Sequence, residues 1–313
     1  STKFLNKVWF IKNIIYDIYL VILYYIASKF IISDKFTLSM FITYVSLLSY
    51  FIETVKNIID LNENIKNLKL SLKRANELFD IKEEKFLIDE KYQKDVLKGD
   101  IEFKNISYSY NGYKEILKDF SLKIKEKSKV LLSGDTGSGK STVARILMNY
   151  FSVDKGEVLI NKKELSSYNL INIRKSITYV SQNETIYNDS LYRNIVLDNS
   201  VNYDDFLNIC KICKIDEIVN KNKFKYDMYL EEDGFGLSGG EKSRIFLARA
   251  LIKKSSIYIF DETLSNIDIE KEKDILKDIF DNFKDSTFIV ITHRLANKKL
   301  FNKIYNLNEV NHA

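Results

Sequence analysis

Residues 130–142, VLLSGDTGSGKST, have the residue types and spacing of a phosphate-binding loop. A short apolar run reaches a glycine, and Gly139, Lys140 and Ser141 then come directly before a helical pattern. Glycines let the backbone curl so that its N–H groups point at phosphate oxygens, and the positive end of the helix adds attraction. Lys140 would contact the β and γ phosphates, and Ser141 would supply a hydroxyl to Mg²⁺. The sequence thus predicts an ATP or GTP site made of Gly134, Asp135, Thr136, Gly137, Ser138, Gly139, Lys140, Ser141 and Thr142.

A strand and a helix must hold this loop in place. Residues 130–132 are a short apolar run typical of a buried parallel strand, and residues 143–150 have the pattern of the start of the following helix. A glycine-rich turn with a chance lysine is the alternative. It would not also supply the strand, the spacing and the helix.

A second group of reactive side chains lies at the end of another apolar run. Residues 256–262, SIYIFDE, predict a strand that ends in two carboxylates. Asp261 is in position to hold the Mg²⁺ shell, and Glu262 could orient or deprotonate the attacking water.

A third stretch, LSGGEKSR at residues 237–244, precedes the amphipathic run IFLARALI. Ser238, Gly239 and Gly240 at a helix start predict a further anion site, because the first N–H groups of a helix are unpaired. One nucleotide needs only one cradle, so a second cradle suggests use by another copy of the chain. A purely structural glycine-rich helix start is the alternative.

The two cysteines of the chain, Cys210 and Cys213, form a single C-x-x-C pair with no nearby histidine. Four zinc ligands cannot be assembled from this pair, and the neighbouring apolar residues follow one helix face. The pattern favours packing over metal or redox chemistry, and the low cysteine count fits a reducing compartment.

Composition sets broad limits. A length of 313 residues allows two domains, and 45% hydrophobic residues are typical of a globular chain. The formal charge of +5 is too small to indicate a dedicated nucleic-acid protein, so no nucleic-acid partner is predicted.

The N-terminal part contains two long apolar segments, residues 14–32 and 36–52, joined by a short polar connection. Their lengths approach the ~20 residues that cross a bilayer, which predicts a transmembrane hairpin. Asp17 would need a polar partner or a position near the interface. A pair of buried helices in a soluble bundle is the alternative. Lysines flank both outer ends, which predicts that both ends face the cytoplasm and that the membrane location is the cell membrane.

Residues 53–78 have apolar side chains at helical spacing and predict a cytoplasmic extension of the second membrane helix. The predicted organisation is a membrane hairpin with its extension at residues 1–88, a charged linker at 89–100 and an ATP-binding domain at 101–313. That domain opens with alternating strands typical of an antiparallel sheet and continues with alternating strands and helices. The fold class is therefore α/β, with a mostly parallel sheet wrapped by helices.

Together the phosphate loop, LSGGE, SIYIFDE and His293 in FIVITHRL make residues 101–307 similar to the ATP-binding cassette (ABC) ATPases. Three further positions match that family. Tyr110 matches the aromatic residue that stacks on adenine, and Gln182 matches the glutamine that joins the metal site to the transmembrane coupling surface. The residues SNID at 265–268 match the loop that follows the catalytic glutamate and crosses to the partner.

The resemblance implies a head-to-tail dimer with ATP and Mg²⁺ held between two copies. The phosphate loop of one copy would face the signature residues of the other, Ser238, Gly239, Gly240 and Glu241. The implied catalytic residues are Glu262, His293 and Gln182, and the implied metal ligands are Ser141, Gln182 and Asp261. The family usually has glutamine at Glu241 and proline at Ser181, and it commonly continues for some tens of residues past IYNLNEV. Neither substitution removes a group that the chemistry needs.

Chromosome-maintenance ATPases share the LSGGE variant, but in them a very long coiled coil separates the phosphate loop from the signature. Here these motifs are close in sequence, so the N-terminal helices are better compared with the last two membrane helices of ABC exporters. They resemble in particular the peptidase-containing bacteriocin and peptide exporters, which carry six membrane helices per half. The expectation is a C-terminal portion of a half-transporter. No cysteine precedes Cys210, so the peptidase is not expected within this chain.

The predicted function is ATP-driven export across a membrane by a dimer of half-transporters, more readily a homodimer than a heterodimer. A peptide or bacteriocin is the expected cargo, and a lipid or drug is the alternative cargo. A soluble ABC-type ATPase acting on a protein or nucleic-acid partner is the alternative function.

Overall fold

The computed structural model describes residues 2–33, 35, 37–80, 97–110, 114–181, 184–197, 199–220 and 222–310. The chain divides into two compact units, Ser1–Glu84 and Lys85–Ala313. Most of the predicted linker, residues 89–96, is outside the described residues.

The N-terminal unit consists of two long helices, α1 (Thr2–Ile32) and α2 (Leu38–Phe79). The side chain of Thr37 caps α2 by accepting a hydrogen bond from the backbone N–H of Met40 at 3.2 Å. The two helices contact each other through Tyr24 and Phe41, whose ring centroids are 5.7 Å apart. Both helices are long and apolar enough to cross a membrane, and none of their most apolar stretches is buried within the protein. Exposed apolar surface of this kind is what a membrane helix presents to lipid.

The C-terminal unit contains two main sheets and a group of helices. The first sheet is antiparallel, with strand order β2-β1-β4-β5, and the second has the order β11-β3-β10-β9-β6, with every pairing parallel. A short pair, β7 and β8, completes the strands. The strands are β1 (Ile101–Tyr110), β2 (Lys114–Ile124), β3 (Lys129–Ser133), β4 (Lys155–Ile160), β5 (Lys163–Glu164), β6 (Ile177–Val180), β7 (Asp189–Ser190), β8 (Tyr229–Leu230), β9 (Ile257–Asp261), β10 (Thr287–Ile291) and β11 (Lys303–Asn306).

Helices cover the parallel sheet and form a separate group beyond it. They are α3 (Lys140–Leu147), α4 (Leu170–Ser176), α5 (Leu191–Val196), α6 (Tyr203–Ile212), α7 (Asp216–Val219), α8 (Gly239–Leu251), α9 (Ile269–Asn282) and α10 (Leu307–Val310). One hydrophobic core fills the space between the two main sheets, and a second lies between the parallel sheet and helices α5 to α9. The predicted α/β fold, with an antiparallel part, a parallel sheet and a helical part, is confirmed.

The strands β3, β9 and β10 are apolar runs because both faces of a central parallel sheet are covered. Their registers bring Ile291 opposite both Leu132 and Asp261, with β10 lying between β3 and β9. The carboxyl ends of all three strands therefore meet at one edge of the sheet. The phosphate loop follows β3, Glu262 follows β9 and His293 follows β10, so this edge gathers the predicted chemistry.

The helix after the phosphate loop begins earlier than its apolar pattern predicts. Residues 143–150 have the helical pattern, whereas α3 starts at Lys140. Gly139 occupies the N-cap with a left-handed φ of 96°, which only glycine adopts without strain. As a result Lys140, Ser141 and Thr142 belong to the first turn, where free N–H groups and the helix dipole act on anions.

Cys210 and Cys213 are both buried and both free. They pack in the second core beside Phe206 and Ile245. Burial raises the pKa of both thiols far above the ordinary range, so they stay protonated and unreactive. The packing interpretation of the C-x-x-C pair agrees with this arrangement.

Candidate functional site

The phosphate loop wraps around the amine of its own lysine. Lys140 Nζ donates hydrogen bonds to the carbonyl oxygens of Gly134 at 2.8 Å and Asp135 at 2.7 Å. Gly134 has a φ of 143°, and a Cβ at that residue would lie 2.8 Å from the hydroxyl of Ser138. The loop therefore needs glycine to close around the ammonium group, which carries the positive charge that a phosphate would meet.

A residue far along the chain also holds this loop. Asn308 donates from its side-chain nitrogen to the carboxylate of Asp135 at 2.8 Å, and its side-chain oxygen accepts from the Asp135 backbone N–H at 3.1 Å. The two hydrogen bonds hold both the backbone and the side chain of Asp135. Sequence reasoning missed Asn308, because 173 positions separate it from its partner and no local motif marks it.

The two predicted acids have different surroundings. Asp261 is 4% exposed and accepts a hydrogen bond from the hydroxyl of Tyr179 at 2.8 Å. Glu262 follows directly with a left-handed φ of 53°, and its N–H donates to the carbonyl of Ile291 at 2.9 Å. A glutamate rarely adopts this conformation, and strained residues of this kind cluster at functional sites. Both acids line the same cavity.

His293 lies beside Glu262 at the edge of the sheet. Its Nδ1 is 3.8 Å from a carboxylate oxygen of Glu262, and its side chain is 62% exposed. The imidazole is thus largely exposed to solvent, and it is not among the residues that line the nucleotide cavity.

Most of the predicted nucleotide-binding residues line one cavity of about 420 Å³. Its wall includes both Tyr110 and the two acids, and the phenol oxygen of Tyr110 is 3.2 Å from the hydroxyl of Thr142. Ile116 also lines the cavity, and sequence reasoning missed it because it belongs to a strand without a motif. The lining residues are Tyr110, Ile116, Thr136, Gly137, Gly139, Lys140, Ser141, Thr142, Asp261 and Glu262.

The signature residues lie at the start of α8 and do not line this cavity. The Ser238 side chain accepts from the N–H of Glu241 at 3.3 Å, and a Glu241 carboxylate oxygen accepts from the N–H of Ser238 at 2.9 Å. This capping box closes the first turn of the helix. A Cβ at Gly240 would be 2.9 Å from the backbone oxygen of Asn266, so glycine is required where the SNID loop passes. Gly239 lines a separate cavity of about 380 Å³ together with Asn266.

The loop 265–268 is hydrogen-bonded to the backbone of Glu262. The hydroxyl of Ser265 donates to the backbone oxygen of Glu262 at 2.7 Å, and Asp268 caps α9 by accepting from the N–H of Glu270 at 3.0 Å. Gln182, predicted as a metal ligand and catalytic residue, is outside the described residues.

The residues at the cavity fit Mg²⁺ and a nucleotide phosphate. Ser141 and Asp261 offer the oxygen ligands that Mg²⁺ uses when it is bound by one or two protein groups and by substrate phosphates. The hydroxyl of Ser138 is buried and has no partner among the described residues. An unpartnered buried hydroxyl within the phosphate loop is what a loop that binds a polar ligand would offer.

The fold and the cavity define a P-loop nucleotide-binding domain in which an antiparallel sheet and a helical part flank a parallel core. Residues 117–265 match the ABC transporter family. These residues therefore form an ABC transporter domain, and the resemblance seen in the motifs of the chain is confirmed.

The relatives are exporters and processing transporters. A lactococcin-G-processing and transport ATP-binding protein of Lactococcus lactis subsp. lactis is 33% identical over 96% of this chain and 43% of its own length. An ATP-dependent lipid A-core flippase of Haemophilus influenzae is 30% identical over 88% of this chain and 47% of its own length. A bacterial Atm1-family ABC exporter structure with ATP bound has a TM-score of 0.70 at 27% identity, covering 77% of this chain and 42% of that one. The chain spans less than half the length of these relatives.

Proposed function

We propose that the protein is an ATP-driven exporter in which ATP binding and hydrolysis open and close a path across the membrane. The observation that carries the proposal is the joining of Lys140, Ser141, Asp261 and Glu262 around one cavity in a chain that also has two long, exposed apolar helices. A nucleotide site explains the first feature, and a membrane explains the second.

Within the cavity, each residue has a separate task. Lys140 and the first-turn N–H groups of α3 would bind the phosphates, and Tyr110 would stack on the base. Ser141 and Asp261 would hold Mg²⁺, which would neutralise part of the negative charge of the phosphates. Gln182 is proposed as a further metal ligand on sequence grounds alone.

Glu262 is the proposed general base. Its carboxylate would orient a water for attack on the γ phosphate, and His293 would contact that phosphate and maintain the position of the attacking group. The distance of 3.8 Å between the Glu262 and His293 side chains supports a shared task.

The site is proposed to be completed by a second copy. Ser238, Gly239, Gly240 and Glu241 lie at the start of α8, away from the cavity that holds the phosphate loop. Backbone N–H groups at a helix start attract anions, so these residues would contact the γ phosphate bound by the partner. Both Glu262 and His293 are present, which favours a homodimer over a heterodimer.

The proposed location is the cell membrane, with α1 and the first part of α2 spanning it and the ATPase domain in the cytoplasm. Lysines flank the outer ends of the two apolar segments, as expected for cytoplasmic ends. No nucleic acid is proposed as a partner. The proposed cargo is a peptide, as for the lactococcin-G relative, and the lipid A-core flippase relative makes a lipid the second candidate.

The test uses membrane vesicles that contain the transporter in inverted orientation, with a fluorescent bacteriocin-type peptide outside and a labelled lipid A core as the competing cargo. We expect ATP-dependent uptake of the peptide and none with Glu262→Gln. Recovery of the protein in the soluble fraction without detergent would overturn the membrane assignment. Uptake of the lipid alone would overturn the peptide assignment and leave the exporter in place.

A further inference from the structure

The carboxylate of Asp261 accepts a hydrogen bond from a tyrosine on the neighbouring strand. The Tyr179 hydroxyl, at the end of a side chain on β6, donates to Asp261 Oδ2 at 2.8 Å. The two residues lie on adjacent strands, since Val180 pairs with Phe260, so the sheet itself sets the distance between them. Asp261 is only 4% exposed. A buried carboxylate cannot exchange this partner for water without cost.

An arginine lies close to the same tyrosine. The guanidinium of Arg145, on α3, interacts electrostatically with the phenols of both Tyr179 and Tyr110. Tyr110 in turn lies 3.2 Å from the hydroxyl of Thr142 and packs edge-on against Phe151, with ring centroids 5.4 Å apart. Arg145 thus interacts with both the proposed base-stacking residue and the tyrosine bound to the proposed metal ligand.

The Tyr179 hydroxyl occupies one oxygen of the carboxylate, Oδ2. This hydrogen bond restricts the rotation of the carboxylate, so the other oxygen, Oδ1, is the one left for a metal ion.

We propose that Tyr179, steadied by Arg145, is a positioning residue that orients Asp261 for Mg²⁺. The proposal rests on the proposed Mg²⁺-nucleotide site and adds to it the residues that set the geometry of the ligand. Partners behind a metal ligand fix its orientation, and their loss typically costs 10–100-fold in metal affinity or activity. Nucleotide binding without metal does not involve Asp261 and should not depend on Tyr179.

The test measures metal and nucleotide binding separately on the full chain in detergent. Mn²⁺ is the probe, because it shares the oxygen-ligand preference of Mg²⁺ and is followed by electron paramagnetic resonance in the presence of ATPγS. Binding of ATPγS alone is measured by calorimetry in EDTA. The variants are Tyr179→Phe, which removes only the hydroxyl, and Arg145→Lys, which keeps the charge but cannot reach both phenols in a fork. Tyr168→Phe is the control, since its buried hydroxyl donates to Ile160 at 3.2 Å, away from the cavity.

In Tyr179→Phe we expect the Mn²⁺ dissociation constant to rise about 10-fold, with metal-free ATPγS binding within about 2-fold of the wild type. Arg145→Lys should move the Mn²⁺ constant in the same direction by a smaller factor, and Tyr168→Phe should leave it unchanged. A wild-type Mn²⁺ constant in Tyr179→Phe overturns the proposal. A wild-type constant in Arg145→Lys removes Arg145 from it. Failure of the wild-type chain to bind ATPγS at all would instead overturn the nucleotide site itself.

Discussion

At the scale of single residues, the site depends on carboxylates with separate environments. Asp261 is buried and hydrogen-bonded, which suits a metal ligand. Glu262 is partly exposed beside His293, which suits a group that must exchange a proton with water. The two adjacent acids thus differ in burial and in partners, so one strand end can supply both functions.

Replacing Glu262 by glutamine tests the assignment of the base. Glu262→Gln keeps the size and the backbone conformation but cannot accept a proton, so steady ATP hydrolysis should fall about 100-fold or more, while ATP binding is kept. Hydrolysis is measured by phosphate release from the assembled transporter. Glu270→Gln, at an exposed position at the start of α9, should hydrolyse ATP at the wild-type rate. Equal rates for the two variants would contradict the role of Glu262.

Some residues of the site could be predicted from the sequence, and others could not. The phosphate loop, Asp261, Glu262 and His293 follow from short motifs, because their chemistry depends on neighbours in the chain. Tyr179 and Asn308 could not be found this way, since their partners lie 82 and 173 positions away. Such contacts exist only after the parallel strands have been placed in order.

At the scale of secondary structure, an ion cluster links the helices of the second core. Glu217 of α7 accepts from Arg244 of α8 at 3.0 Å and from Lys271 of α9 at 2.6 Å. Arg244 also donates to the backbone oxygen of Lys214 at 2.8 Å. The three helices are thereby joined at the end nearest the signature residues.

This cluster predicts an acid-sensitive contribution to stability. The hydrogen bond from Lys271, with further help from Arg244, lowers the pKa of Glu217 from 4.5. A lowered folded-state pKa means that the stabilisation is complete above the ordinary value and is lost as the pH falls through the folded value. The Glu217 side chain is 46% exposed, so the effect is about 1 kcal/mol or less.

The measurement is urea unfolding of wild type and Glu217→Gln between pH 7 and pH 3. We expect the wild type to be more stable at pH 7 and the difference to disappear in acid. For Glu164→Gln, at an exposed position of β5, the difference in stability from the wild type should not become smaller in acid. A difference that stays constant with pH would show that Glu217 acts by packing alone.

Two glycines with the same φ allow the cost of backbone strain to be distinguished from the cost of a steric clash. Gly156 and Gly236 both have a φ of 85°, but a Cβ at Gly156 would lie 2.4 Å from two backbone oxygens of β1, whereas none would be within 4 Å at Gly236. Gly236→Ala should cost about 1–2 kcal/mol from the left-handed conformation. Gly156→Ala should cost ~1–3 kcal/mol more, because β1 and β4 must separate. Unfolding in urea measures both, and equal losses would argue against the close approach.

The elements themselves were largely predictable, apart from their ends. Runs such as KVLLS and IYIFD are apolar because the parallel sheet is covered on both faces. The start of α3 was misplaced by three residues, because Gly139 begins the helix before its apolar pattern starts.

At the scale of the whole molecule, the proposed membrane location depends on the two apolar helices. Apolar side chains along α1 and the first part of α2 are exposed. Farther along α2, apolar residues alternate with charged ones, and this part would extend into the cytoplasm. The first part of this one continuous helix would thus lie in lipid and the rest in the aqueous cytoplasm.

A matched pair of substitutions on α2 tests this division. Ile42 and Ile65 are both exposed, at 58% and 43%, but only Ile42 belongs to the predicted span. Ile42→Arg should cost ~2.5–3.5 kcal/mol of insertion free energy, and Ile65→Arg should cost little. Resistance to extraction from membranes by alkaline carbonate measures insertion. Equal extraction of both variants would contradict a span at residues 36–52.

The wall of the nucleotide cavity has a consequence for the choice of base. In the described lining, Tyr110 offers a ring face and Ile116 an apolar side chain. Neither of these surfaces forms hydrogen bonds with the edge of a purine. Every base has a face that can stack, so guanine should be held almost as well as adenine. The preference for ATP would then come from its abundance in the cell, and purified protein should hydrolyse GTP at a comparable rate.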